Sequence, residues 1–169
     1  MVVGLDIFKK YFELYPDSYV IIGGTACDII IAEADDFTSL SAILLNDEYY
    51  NYMIEHSQFE DGLRRANIEA LICLKVIAFL EIKERIENGS KEDSKQMKKH
   101  KADIFRLTVM LTPDTEFLLP TNIQNHVNHF IEAIKGEIPD KAIFKEMGLG
   151  SIDSNRVYEQ LKKSFRINK

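Results

Sequence analysis

Tyr19-Val20-Ile21-Ile22-Gly23-Gly24-Thr25-Ala26-Cys27-Asp28 is the stretch whose reading decides the fold. A short β-branched run stops at two glycines, and apolar residues at helical spacing follow at once. The spacing predicts a strand over 19–22 feeding a helix over 25–34, with Ala26, Ile29, Ile30 and Ile31 on its buried side. Such a turn suits a phosphate. Glycine lets the backbone approach a bulky anion, and the exposed amides of the helix's first turn point at it with a favourable dipole. Gly23, Gly24 and Thr25 are therefore candidate nucleotide-binding residues, Thr25 through its hydroxyl and its amide. A tight strand-to-helix turn with no ligand is the plainer reading of the same residues.

Upstream, Leu5, Ile7, Phe8, Tyr11, Phe12 and Leu14 follow a helical period that ends at Tyr15-Pro16-Asp17-Ser18. Downstream, Leu40, Ala42, Ile43, Leu44 and Leu45 are too uniformly apolar for a half-exposed strand, so 39–45 is expected to be an internal one. Asp47 to Glu55 reads as a short helix and Gln58 to Gly62 as a small edge strand closing in a turn. A long helix is expected from an Asn67 N-cap to Asn88, stopped by Gly89-Ser90, and another over Lys95 to Leu111. Thr121-Asn122-Ile123-Gln124 has capping-box form, and Ile123, Val127, Phe130, Ile131 and Ile134 repeat at helical spacing. Two shorter helices are expected over Ala142–Met147 and Asn155–Phe165. The outline is an α/β core over 1–62 and a helical portion over 63–169.

With 169 residues and 46% hydrophobic content the chain can fill a real core. Cys27 and Cys73 lie far apart in apolar segments and give neither a disulfide framework nor a metal-ligand spacing, which points to a reducing compartment. No apolar run approaches the roughly 18 residues a membrane span needs, so a cytoplasmic protein without a membrane partner is expected. The net charge of −6 argues against a protein that coats nucleic acid with its whole surface. It leaves room for a local basic patch, and Lys91, Lys95, Lys98, Lys99, His100, Lys101 and Arg106 crowd into one segment. Those lysines read either as a solvated helix face or as an RNA contact.

The order of these features resembles the abortive-infection type nucleotidyltransferase toxins, a family with the polymerase-beta-like nucleotidyltransferase fold. The resemblance rests on the helix, strand, Gly23-Gly24 and helix opening, on Ser41-Ala42-Ile43-Leu44-Leu45, on Leu74-Lys75-Val76-Ile77-Ala78, and on Lys99-His100-Lys101-Ala102-Asp103-Ile104-Phe105-Arg106-Leu107. It covers most of residues 1–111. It implies an α+β fold in which a small mixed sheet of a nucleotidyltransferase core carries a helical C-terminal portion. It also implies a nucleoside triphosphate and Mg2+ at the site, transfer of the nucleoside monophosphate to a tRNA or protein acceptor, and a cognate antitoxin as partner.

Two-metal transfer needs two carboxylates at i and i+2 on one strand, both projecting from the same face. No such pair stands where the resemblance requires it. Asp35 and Asp36 are adjacent, and neighbours on a strand point to opposite faces. Glu33 and Asp35 end a helical pattern, where their spacing separates them by about 200°. On the order of several tens of residues of the family's sheet have no counterpart between Phe37 and Thr38, judged by the usual size of a mixed sheet. A degenerate copy, an internal deletion and a sequence that omits a mobile segment would each leave this pattern. No metal ligands are therefore assigned, and this chain is expected not to catalyse two-metal transfer; a degenerate protein that binds a nucleotide, RNA or a partner without catalysis is the alternative.

Two further residues stand out as candidate catalytic groups. Lys75 sits in Ala70-Leu71-Ile72-Cys73-Leu74-Lys75-Val76-Ile77-Ala78-Phe79-Leu80, the least polar stretch of the chain. A buried ammonium is costly, so it either snorkels to the edge or faces an anion; the resemblance implies the nucleotide phosphates. Asp103 lies among core-facing residues, where Arg106 at i+3 can pair with it. The resemblance makes Asp103 a supporting acid that positions Lys75 or polarises the acceptor. His100 is able to orient a phosphate, although a lone histidine is more often a surface or structural group.

Overall fold

The structure is a computed structural model that describes residues 5–15, 19–22, 26, 46–91 and 94–167. Among them are six α-helices, one 3-10 helix and a two-stranded antiparallel sheet, a mixed α+β arrangement. The helices are α1 (Leu5–Phe12), α2 (Asp47–Glu55), α3 (Ile68–Glu87), α4 (Ser94–Val109), α5 (Thr121–Ala133) and α6 (Ser154–Ser164). The strands are β1 (Ser57–Glu60) and β2 (Leu63–Ala66), and the 3-10 helix covers Lys141–Met147. Gly23, Gly24, Thr25, the expected strand over 39–45 and the junction of Phe37 with Thr38 lie outside the described residues, as does the expected helix over 25–34 apart from Ala26, which is helical and fully buried. The chain divides into two compact units, Met1–Leu71 and Ile72–Lys169.

In the first unit the hairpin is fixed by its turn. Glu60 pairs with Leu63 across Asp61 and Gly62, whose φ angles of 52° and 78° are both positive, as the tight turns that match strand twist require. The strand expected over 19–22 is reduced to one bridge. Ile21 N donates to Arg64 O at 2.9 Å and Ala66 N donates to Ile21 O at 3.0 Å, so Ile21 runs parallel to β2 for a single residue. The Tyr19 ring meets Phe8 and Phe12 edge-on, at centroid distances of 4.8 and 5.7 Å, and its hydroxyl donates to Gly62 O.

α3 explains why its first half reads as apolar all round: every residue from Ala70 to Val76 is buried. Its entry differs from the expected N-cap. Asn67 Oδ1 has no hydrogen-bond partner, and the Asn67 amide turns to Glu69 Oε1 at 3.3 Å, so the side chain does not cap the helix. Gly89, with φ 87°, follows the helix end as expected.

The second unit buries the phenylalanines Phe105, Phe130, Phe144 and Phe165 completely, and Phe79 meets Phe130 edge to face at 5.0 Å. The four periodic residues Ile123, Val127, Phe130 and Ile131 of α5 are buried, and so is Ile134 at its C-cap. Its capping box does not form. Pro120 takes the cap position without a side-chain bond, and Gln124 Nε2 donates instead to Phe165 O at 3.0 Å, a tertiary contact that outcompetes the local one. Asp140 and Asp153 cap the 3-10 helix and α6 by accepting from Ala142 N and Asn155 N.

Candidate functional site

Lys75 does not snorkel. Its position in the buried stretch of α3 leaves the side chain 6% exposed, and Nζ donates to Asp103 Oδ2 at 2.6 Å. Asp103 is brought there because α4 buries Ile104, Phe105, Leu107 and Thr108 around it. An ammonium and a carboxylate 28 residues apart thus neutralise each other away from water. Each charge alone would be strongly destabilised at that depth, and together they are tolerated because the attraction offsets desolvation.

Arg106, the partner expected at i+3, stands behind Lys75 in proximity. Its Nη1 lies 3.6 Å from Asp103 Oδ1, while its Nε donates to Ile143 O at 3.0 Å and so ties α4 to the 3-10 helix. Both Asp103 oxygens therefore face cations, Oδ2 in a hydrogen bond and Oδ1 at a longer ion-pair distance. One turn before Asp103, His100 is half-buried, and its Nδ1 is enclosed with no hydrogen-bond partner. Burial pushes its pKa from 6.5 down to about 4; the Lys75 charge lowers it further, Asp103 opposes and Lys99 adds to the lowering. The ring is neutral at pH 7.

Other polar features are made by other residues. In the first unit His56 Nδ1 lies 3.1 Å from Glu69 Oε1, and the His56 ring stacks on Tyr52 at 4.1 Å. Lys91, Lys95, Lys98 and Lys99 are exposed around the start of α4. A cleft of about 600 Å³ opens between Ile138, Pro139, Asp140, Ile152 and Asp153, and none of the residues singled out in the sequence lines it.

The arrangement offers an ammonium held at a fixed point, a carboxylate that orients it, and a neutral imidazole beside both. It does not fit a magnesium ligand set. Asp103 has its oxygens engaged by Lys75 and Arg106, and the described residues hold no group of three or more His, Cys, Asp or Glu able to surround a cation. No helix among the described residues is long and apolar enough to cross a membrane. Compared with known proteins, the chain matches no family model, no curated protein and no solved structure.

Proposed function

We propose that this chain is a nucleotidyltransferase-like protein that binds a nucleoside triphosphate, with Lys75 neutralising phosphate charge and Asp103 orienting Lys75. The observation that carries the reading is the buried 2.6 Å pair itself: the two residues singled out by resemblance to the nucleotidyltransferase toxins meet at one point. Gly23, Gly24 and Thr25 remain candidate nucleotide-binding residues from the sequence and lie outside the described residues.

The reaction proposed for a complete member of that family is transfer of a nucleoside monophosphate to a tRNA or protein acceptor. Magnesium belongs to that chemistry, but the described residues do not fit it, so no step is derived through a metal. The absence from the sequence of an i, i+2 carboxylate pair on a strand favours a second reading, a non-catalytic nucleotide-, RNA- or partner-binding protein. A cognate antitoxin is a proposed partner under either reading.

Calorimetry with the four nucleoside triphosphates, with and without magnesium, tests the proposal. Binding is expected, and Lys75→Ala is expected to weaken it by about tenfold or more, as for the loss of a hydrogen bond to a charged group. Equal affinities for wild type and variant would remove Lys75 from the site. The sequence as it stands is expected to give no magnesium-dependent incorporation of labelled nucleotide, and detecting it would overturn the non-catalytic reading.

A further inference from the structure

Lys83, Lys101, Lys135, Lys162 and Lys163 each stand beside a carboxylate that forms an ion pair with them. Lys98 and Lys99 differ: both are exposed, and among the described residues neither makes a hydrogen bond or an ion pair. Lys95, also exposed, shares their side of α4. Residues 95, 98 and 99 fall within an arc of about 100° and about 6 Å of helix rise. No Asp or Glu stands between Ser94 and Ala102 to dilute their charge. Lys91 adds another exposed cation on the approach to the helix.

Folding gains nothing from this arrangement. Lys95 and Lys99 at i, i+4, like Lys95 and Lys98 at i, i+3, repel each other along the helix. Lys95 also lies in the first turn, which carries no acid and where the helix dipole disfavours a cation. A polyanion laid along this face relieves these repulsions together.

The surroundings of the lysines select among polyanions. A stable hold on a membrane surface takes apolar side chains as well as cations, and none of the described residues from 91 to 101 is an exposed large hydrophobic. Single-stranded nucleic acid is held by aromatic rings on which its bases stack, and Phe105, the phenylalanine of α4, is fully buried. The face therefore suits phosphates whose bases are already paired. The net charge of −6 does not prevent this, because at physiological salt charges more than about 8 Å away are largely screened.

We propose that the face of α4 formed by Lys95, Lys98 and Lys99 docks on the phosphate backbone of double-helical RNA without reading its sequence. This rests on the RNA-binding reading above and is independent of the triphosphate. Each lysine neutralises a phosphate and releases the counterions held there, so binding weakens as salt rises.

Fluorescence anisotropy of the full chain with a labelled RNA duplex, between about 50 and 200 mM salt, tests the face. It compares wild type, Lys98→Gln with Lys99→Gln, Lys98→Arg with Lys99→Arg, and Lys135→Gln, with thermal melting of each. Wild type should show a slope of log affinity against log salt of about −3, as for three phosphate contacts. The double Gln variant should lose about two from the size of that slope and keep its melting temperature, while the Arg pair and Lys135→Gln keep the slope. Unchanged binding by the double Gln variant overturns the role of this face and leaves the RNA reading standing. If wild type binds no duplex, the RNA reading fails and the face falls with it. Tighter binding of the single strand or of a DNA duplex, or capture by phosphatidylserine vesicles where RNA is not bound, overturns the choice of partner.

Discussion

Two Lys–Asp pairs of nearly equal length sit in opposite surroundings. Lys75 and Asp103 meet at 2.6 Å with side chains 6% and 9% exposed; Lys163 and Asp114 meet at 2.8 Å with side chains 53% and 90% exposed. Their hydrogen bonds are alike. Water separates them energetically: the surface pair can be broken and both charges rehydrate, whereas breaking the buried pair strands one charge in the interior. A short ion pair therefore says little about its importance until its burial is known.

The largest expected effect comes from breaking the buried pair on one side. Asp103→Ala should cost about 3–5 kcal/mol in denaturant unfolding, because Lys75 is left charged and enclosed. A loss below about 1 kcal/mol would mean that Lys75 escapes to water or finds another carboxylate. Replacing both, as Lys75→Met with Asp103→Leu, should recover most of the loss. If the double variant is as weak as the single one, packing around the pair matters more than its charge.

The next effect is the pH dependence attached to the same cluster. The folded-state pKa of His100, about 4, lies below its ordinary value of 6.5, so the unfolded chain takes up the proton first as the pH falls. Stability contributed by the neutral ring is complete above pH 6.5 and is lost progressively as the pH drops toward 4. Melting curves across that range should fall more steeply for wild type than for His100→Asn. Parallel curves would show that the ring titrates with ordinary affinity.

Smaller still is the cap of α6. Asp153→Ala removes the acceptor of Asn155 N and should cost about 1 kcal/mol, measured by chemical denaturation. No loss would mean that solvent or Ser154 replaces the carboxylate. At the bottom of the order, Asp114→Ala should leave the melting temperature unchanged in both low and high salt. A clear drop in low salt would bring the surface pair closer to the buried one than their exposures allow.

Much of the helical portion is legible in the sequence because apolar spacing and stop signals agree there. The periodic residues from Ile123 to Ile131 in α5 and the glycine after α3 are examples. The sequence pattern does not predict β2: Leu63-Arg64-Arg65-Ala66 has no apolar alternation, and it pairs because the Asp61-Gly62 turn folds it back on β1. The Asp61-Gly62 dipeptide was the available signal. The segment expected as a helix over Ala142–Met147 winds more tightly, as a 3-10 helix over Lys141–Met147 held by Arg106 at Ile143 O. At the site, the apolar run around Lys75 showed that the lysine needs a partner. Which partner depends on the packing of α4, since local spacing offers Arg106 to Asp103 but says nothing of a lysine 28 positions earlier.

The hairpin turn also bears on the order in which the chain assembles. Asp61 and Gly62 bring β1 and β2 together within a few residues, so that pairing forms on the microsecond scale, about 1–10 μs for an isolated hairpin. Tyr19 reaches Gly62 across 43 residues, and that contact waits for a long loop to close. The hairpin's contacts are thus local while the Ile21 bridge is not, so holding the bridge carries a loop-closure entropy that β1 and β2 escape.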